Sequence, residues 1–243
     1  QLQLLNLRKI KIMYQYLEEE LEQLRTRIIK MGTLVEEQVE FAIKALFEGN
    51  EEYSNIVIDR DDKVDKFDVK IERHCQKIFA LTQPVAVDLR LIMAALSINK
   101  DLERMGDIAV NIAERVPMLK DHIELMKNLK VEEMALKTQK ILKCTLDSFV
   151  NNDPEMGYSV IKSDSIIDKL DWEIFDLCIN EMMNNKELIK PCSLIVSVAR
   201  NFERLSDHCT NIAEEVIFLW ESKIIKHRKN LGDDLESKPD LPV

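Results

Sequence analysis

Apolar residues recur at three- and four-residue spacing through six segments of about thirty residues each. The stretch LRTRIIKMGTLVEEQVEFAIKALF at 24–47 illustrates this pattern, which is typical of an amphipathic helix. Helix-breaking residues stand between the segments, at Gly49-Asn50, Gln83-Pro84, Pro117, Asn151-Asn152-Asp153-Pro154, Asn184-Asn185 and Pro191. The pattern therefore predicts an all-α fold of antiparallel helices joined by short turns.

The chain contains an internal repeat. Residues 101–116 and 201–216 agree at eight of sixteen positions when they are offset by one hundred, and residues 61–75 resemble residues 164–178 at an offset of 103. The helices that precede them, 14–48 and 118–150, also pair. We therefore predict two tandem antiparallel three-helix bundles related by the repeat.

The repeat and the breakers together define the predicted domains. Asp153-Pro154 predicts a helix start, because an N-cap residue precedes a proline at the first helical position. Residues 1–12 lack the acidic interleaving of later segments, so a native start at Met13 stays an open alternative. The predicted division is a first repeat at 14–117, a second repeat at 118–227 and a flexible tail at 228–243.

Charged residues recur on one face of the repeated helices. At about 100° per residue, Glu103, Asp107, Asn111 and Glu114 fall within about 80° of one another. The apolar stripe lies on about the opposite side, so these carboxylates are predicted to face away from the core. The helix before it carries a second acidic stripe in each repeat: Asp61, Asp65, Asp68 and Glu72, then Asp164, Asp168 and Asp171, with Phe175 in the fourth place.

Two interpretations of these acidic stripes stay open. Neighbouring carboxylates on one stripe repel one another, so something cationic should compensate. Carboxylate pairs from two helices can offer several hard oxygen ligands to a metal ion. The alternative is a network of ion pairs with nearby basic residues, for which the candidates are Lys66, Lys169, Arg104 and Arg204.

Composition excludes several classes of function. A formal net charge of -10 and the absence of a long basic run argue against nucleic acid as the partner. No apolar run reaches the length of a membrane span, so a soluble, cytoplasmic chain is expected. Five cysteines without CxxC spacing indicate small buried residues in a reducing, cytoplasmic compartment.

The sequence contains no constellation typical of catalysis. A di-iron bundle would need Glu-x-x-His pairs, and none of His74, His122, His208 or His227 follows a glutamate at that spacing. A glycine-rich phosphate loop and a GxSxG elbow are also missing. We therefore expect a non-enzymatic protein, with a metal-storage or redox bundle as the alternative. Met31, Met93 and Met105 are interpreted as core residues, and His208 as a surface or packing residue.

Several independent motifs resemble those of the PhoU family of phosphate-uptake regulators over about residues 17–225. They are LEEELEQLRTRIIKMGTLVEEQV near the start, QPVAVDLR at 83–90, and the doubled ERMGDIAVNIAE and ERLSDHCTNIAE. The resemblance implies a regulator of the phosphate-starvation response that links two partners, the ATPase subunit of the phosphate ABC transporter and a PhoR-type sensor histidine kinase. It also implies a homodimer.

The family's E/D-x-x-x-D motifs imply metal clusters on the bundle surface. Iron in multinuclear clusters is the first expectation, and manganese, magnesium, calcium and zinc are not excluded. The matching positions are Asp61, Asp65, Glu103 and Asp107 in the first repeat, and Asp164, Asp168, Glu203 and Asp207 in the second. Further metal or contact candidates are Asp68, Asn111, Glu114, Asp171, Asn211 and Glu214.

Overall fold

The computed structural model describes residues 2–222 of the chain, with side chains from Met13 onward. All regular structure in this part is helical, which confirms the predicted fold class. The long helices are α1 (Leu2–Glu48), α2 (Glu51–Leu81), α3 (Val87–Ala113), α6 (Val131–Asn151), α7 (Pro154–Asn184) and α8 (Ile189–Glu221). The short ones are α4 (Val116–Leu119), α5 (Ile123–Asn128) and two 3₁₀ turns, Lys120–His122 and Lys186–Leu188.

The same tight connection joins the first two long helices of each repeat. Gly49 and Asn152 both adopt positive φ, at 65° and 57°, and end α1 and α6. The next residue caps the following helix: Asn50 accepts from Glu52 N, and Asp153 accepts from Glu155 N and Met156 N. The helix start predicted at Asp153-Pro154 is thus confirmed. These equivalent turns fix the offset of 103 between α1–α2 and α6–α7.

The helix predicted over 118–150 is not continuous. Pro117 lies at the start of the short α4, and a 3₁₀ turn and α5 follow it before α6 begins at Val131. Lys130 is left-handed, with φ of 64°, a conformation that cannot continue a right-handed helix. The predicted boundary between residues 117 and 118 falls inside α4, whereas the tail 228–243 and residues 223–227 lie outside the described residues.

The two repeats pack through their third helices, α3 and α8, and one hydrophobic core runs through both. Polar residues join these helices, of which Asp101 and His208 are buried. His208 Nδ1 lies 2.8 Å from Asp101 Oδ1, and Asn211 Nδ2 donates to the same oxygen at 3.2 Å. A second tie comes from α1, where Arg25 donates to Val150 O at 3.0 Å and to the side chain of Asn152.

Some single-residue expectations need correction. His208 is neither exposed nor a mere packing residue, because it is buried and bonded to Asp101. Met31 and Met105 are core residues as expected, but Met93 is 51% exposed. Four cysteines are buried as predicted, and the fifth, Cys144, is half-buried. In the described part of the chain, no helix combines the length and apolarity needed to cross a membrane.

We predict that the two bundles unfold as one unit, because one core spans them. Asn50→Ala or Asp153→Ala removes a helix cap, which costs about 1 kcal/mol and corresponds to about 2–4 °C in Tm at this size. Calorimetry should show a single transition that moves by a similar amount in either variant. Asn50→Asp and Asp153→Asn keep the acceptor and serve as controls. Two transitions, of which only one moves, would contradict the prediction.

Candidate functional site

The structure brings together the four predicted metal residues of the first repeat. Asp61 and Asp65 lie on α2, while Glu103 and Asp107 lie on α3, which packs beside it. The helices approach closely at Gly106, where a β-carbon would meet Asp61 Oδ1 at 3.4 Å and Val64 Cγ1 at 3.3 Å. We call Asp61, Asp65, Asp68, Glu103 and Asp107 the first carboxylate cluster.

The charges of the first cluster act on one another. Burial, followed by the charges of Asp65 and Asp107, raises the pKa of Asp61 above its ordinary value. Burial and then Asp107, Asp68 and Asp65 likewise raise the pKa of Glu103. The helices therefore hold carboxylates together at a cost in electrostatic free energy.

Two buried amides border this cluster. Asn99 Nδ2 donates to Asp68 Oδ1 at 2.5 Å, and Gln38 Nε2 donates to Val57 O at 3.2 Å. The oxygens of both amides are buried and receive no hydrogen bond within the described residues. Gln38 Oε1 lies 3.4 Å from the position that a β-carbon on Gly106 would take, as does Asp61 Oδ1. A hydrogen bond from the Gln38 side chain lowers the pKa of Asp61, and an unpaired buried acceptor is costly, so both amides are polar groups that a nearby cation would stabilise.

The second repeat assembles the equivalent carboxylates with different partners. We call Asp164, Asp168, Asp171, Glu203 and Asp207 the second carboxylate cluster. Ser206, at the position of Gly106, donates to Asp164 Oδ1 at 2.7 Å. Arg200 lies 3.1 Å from both Asp171 Oδ2 and Glu203 Oε1. Gln38 and Asn99 are replaced by the apolar Ile141 and Ala199.

The second cluster therefore has its own cation. Burial raises the pKa of Asp171, and Arg200 is the next largest influence and lowers it. Burial and Asp207 raise the pKa of Glu203, again against Arg200. At the position of Arg200 the first repeat has Lys100, which lowers the pKa of Asp68 only as the last of several influences. The first cluster is thus less compensated than the second.

The additional candidate residues do not all join the clusters. Asp68 and Asp171 do, as described above. Asn211 instead bonds Asp101 between the repeats, and Glu114, at the end of α3, lies 3.5 Å from Arg115. Asn111 and Glu214 are half-buried further along α3 and α8.

Among the basic residues that the sequence offered as compensators, none forms an ion pair with a cluster in the described part of the chain. Lys66 lies 3.9 Å from Asp62 instead. Sequence reasoning missed Arg200, Gln38, Asn99 and Asp101. A signal existed for Gln38, since it is a polar residue inside the apolar stripe of α1, and for Arg200, since it directly precedes the repeated motif.

The donor set of the first cluster fits a hard cation. Carboxylate and amide oxygens suit magnesium, calcium, manganese or iron, and Gln38 and Asn99, whose amide oxygens are unpaired, lie beside Asp61 and Asp68. Within the described residues, however, no three His, Cys, Asp or Glu side chains already converge as a formed metal site. The helices supply a concentrated set of oxygen ligands whose side chains would have to close around an ion.

The raised pKa values determine whether the free energy of unfolding rises or falls with pH. A carboxyl group whose pKa is higher in the folded than in the unfolded state contributes most to stability when protonated. That contribution is lost as the pH rises from the unfolded value through the folded value. Asp61, Glu103, Asp164 and Asp207 all have raised pKa values, mainly through burial. At neutral pH the ionised carboxylates of both clusters therefore oppose folding, and Arg200 offsets part of this cost in the second cluster.

Comparisons with a family model, with similar sequences and with solved structures all identify the same family. The PhoU domain model matches residues 28–116 and 131–216, so one domain lies in each repeat. The phosphate-specific transport system accessory protein PhoU homolog of Zymomonas mobilis is 33% identical over 221 residues, which cover 91% of this chain and 93% of that protein. The Aquifex aeolicus homolog is 37% identical over 210 residues, covering 86% and 95%.

Solved structures agree in fold. The crystal structure of PhoU from Pseudomonas aeruginosa superposes with a TM-score of 0.82 at 32% identity, covering 85% of this chain and 99% of that one. The phosphate transport system regulatory protein PhoU from Streptococcus pneumoniae gives a TM-score of 0.77 at 26% identity, covering 86% and 99%. Both similarities extend across the two bundles.

We predict that Arg200 is the resident cation of the second cluster. Arg200→Gln should raise the pKa of Asp171 and Glu203 further, because the positive charge that favours their ionised forms is lost. Carbon-detected NMR titration of the carboxyl groups measures this change. Lys100→Gln is the matched control and should raise the pKa of Asp68 by a smaller amount. Equal shifts in the two variants would contradict the difference between the clusters.

Proposed function

The chain belongs to the PhoU family, and from that premise we propose that it is a non-enzymatic regulatory adaptor of phosphate uptake. Its relatives are named as accessory proteins of phosphate-specific transport systems. We propose that it contacts the ATPase subunit of the phosphate ABC transporter and a PhoR-type sensor histidine kinase. Both contacts would place it in the cytoplasm, at the membrane only through its partners.

The observation that carries this proposal is the unequal charge compensation of the two carboxylate clusters. Arg200 neutralises part of the second cluster, whereas the first keeps its mutually repelling carboxylates beside two unpaired amide oxygens. A surface in that condition changes its charge strongly when it gains a cation. Such a change can select between partners, since electrostatic complementarity governs specificity and association rate.

We propose that the first cluster holds metal ions, with iron as the first candidate. Asp61, Asp65, Glu103 and Asp107 would supply the ligands, and Gln38 and Asp68 would lie next to them. A bound metal would supply positive charge that cancels the repulsion between the carboxylates. In the second repeat, Asp164, Asp168, Glu203 and Asp207 form the equivalent ligand set, but Arg200 and Ser206 already engage part of it.

The turn between α2 and α3 supports a partner contact. It carries the QPVAVDLR segment, in which Val85, Val87 and Leu89 are exposed. Ala86 adopts a positive φ of 45°, which is strained for a residue with a β-carbon. Exposed apolar residues that cluster on a strained turn are typical of recognition surfaces.

We also propose that the protein forms a homodimer. An apolar stripe along α7 is exposed and comprises Trp172, Phe175, Ile179 and Met183. Trp172 and Phe175 pack edge to face with centroids 6.3 Å apart. A contiguous exposed stripe of this kind is unusual on a monomer and is typical of protein interfaces.

Elemental analysis tests the metal proposal. We expect bound metal in the wild-type protein and its loss in Glu103→Ala/Asp107→Ala, because that variant removes two of the four ligands from the first cluster. Without metal the same variant should melt at a higher temperature than the wild type, since it relieves like-charge repulsion. Equal, near-zero metal in both proteins would contradict the proposal.

The matched control is Glu203→Ala/Asp207→Ala in the second repeat. This variant should lose less metal than the first-repeat variant, because Arg200 already compensates its cluster. Metal-dependent redox turnover that disappears with Glu103 and Asp107 would instead favour a storage or redox bundle over an adaptor.

Affinity measurements test the adaptor proposal directly. Calorimetry of the full chain against the purified transporter ATPase and the cytoplasmic part of the sensor kinase should show binding to at least one of them. Loading with metal should change that affinity through the charge of the first cluster, and Glu103→Ala/Asp107→Ala should abolish the change. If the chain binds neither protein in any metal or phosphate state, the proposed adaptor function is wrong.

A further inference from the structure

A cavity of about 240 Å³ opens between α6 and α7 of the second repeat. Its floor is apolar and includes the buried residues Ile141, Val160 and Ile167. Lys137 and Lys140 lie at its rim, and the half-buried Cys144 lines it as well. The cavity does not include the carboxylates of the second cluster.

The first repeat shows what the same place looks like when it is filled. At the offset of 103 that the equivalent turns define, Cys144 corresponds to Phe41 and Ser163 to Arg60. The guanidinium of Arg60 lies 4.8 Å above the ring of Phe41, and the ring of Tyr53 lies 5.6 Å from it. The first repeat thus places an aromatic ring between its helices, where the second repeat has a thiol and a hydroxyl.

The charge of the site differs between the repeats in the same way. In the first repeat, Arg60 Nη1 lies 2.7 Å from Glu37 Oε2, so an acidic residue accompanies the cation above the ring. In the second repeat, lysine replaces that glutamate at position 140 and replaces Leu34 at position 137. The rim has gained positive charge in a chain whose formal net charge is -10.

The serine side chains that line the cavity do not offer free hydrogen-bond donors to its apolar floor. Ser159 Oγ donates to Glu155 O at 3.1 Å, and Ser163 Oγ donates to Ser159 O at 2.8 Å, so both hydroxyls are satisfied by their own helix. Lys137 lies 3.6 Å from Glu133 in an exposed pair, which contributes little and is easily exchanged. An occupant therefore needs an apolar body and a negative charge near the rim.

The size of the cavity indicates one side chain. A cavity of about 150 Å³ accommodates benzene, while sites for small-molecule ligands usually have about 300–1,000 Å³. With about 240 Å³, the cavity between α6 and α7 fits a single aromatic side chain with some adjoining backbone. Phe41 provides the internal example of such an occupant.

We propose that this cavity receives an aromatic anchor side chain from an acidic segment of a partner protein. The proposal rests on the adaptor function, because a partner must supply the segment. Aromatic anchors in well-packed pockets contribute most of the affinity at many interfaces. The two rim lysines select for acidic neighbours of the anchor. The first repeat cannot bind in the same way, because its own Phe41 and Arg60 occupy the site.

The test uses the full-length chain and the peptide acetyl-Glu-Glu-(4-fluoro-Phe)-Glu-Glu-amide, followed by fluorine NMR. We expect saturable binding to the wild type and a loss of about tenfold or more in Cys144→Phe, which rebuilds the filled site of the first repeat. Lys137→Glu/Lys140→Glu should also weaken binding. Lys143→Glu, an exposed position on the same helix outside the cavity lining, should have a smaller effect.

A second measurement does not depend on how Cys144→Phe folds. Cys144 is half-buried and the other four cysteines are buried, so iodoacetamide should alkylate Cys144 first in the native wild-type protein. The peptide should slow this reaction in proportion to its occupancy, and the same peptide with alanine in place of the fluorinated residue should not.

Several results would overturn the proposal. They are the absence of saturable binding, equal affinity for a peptide with lysines in place of the glutamates, and equal binding by a folded Cys144→Phe variant. Binding of 3-phenylpropionate as tight as that of the peptide would assign the cavity to a small molecule. If calorimetry detects binding to the transporter ATPase or the kinase but the peptide does not bind, the proposed role of the cavity is wrong and the adaptor function is retained.

Discussion

The packing of α3 against α8 is the contact on which the rest of the structure depends. These helices carry the repeated motif, and each buries its apolar side in the shared core. A packed interior admits few alternative registers, so burial fixes the rotation of both helices. Glu103, Asp107 and their equivalents are then directed towards α2 and α7, away from that core. The Asp101–His208–Asn211 contact adds a specific polar tie between the repeats.

The electrostatic condition of the clusters follows from this rotation. Because the apolar seams hold the helices together, the carboxylates are brought close even though their charges repel one another. Burial and the repulsion of neighbouring carboxylates raise the pKa values of Asp61 and Glu103, and hydrophobic packing supplies the free energy that offsets this cost. The fold therefore does not depend on attraction between the carboxylates of either cluster.

Helical periodicity predicted much of this arrangement. The spacing of Glu103, Asp107 and Asp61 placed them on adjacent faces, because helix geometry converts spacing directly into direction. The same reasoning could not find Arg200 or Asn99 as partners, since their contacts depend on side-chain conformations and on which helices become neighbours. It also missed the break in the helix before α6, because nothing about Lys130 as a residue type demands a left-handed backbone.

Duplication supplies a comparison within one molecule that a single bundle would not. Both repeats keep the four motif carboxylates and the same turn between their first two long helices. The residues around these shared features can therefore be compared directly between the repeats. Gln38, Asn99 and Lys100 in the first repeat become Ile141, Ala199 and Arg200 in the second, so two amides at the border are lost and the arginine forms ion pairs with Asp171 and Glu203. Over the same helices, Phe41 and Arg60 become Cys144 and Ser163, and a filled groove becomes a cavity. Two clusters of equal function would not require these opposite changes. The substitutions instead separate the repeats, which supports our proposals that the first cluster binds a cation and that the cavity of the second repeat receives a partner side chain.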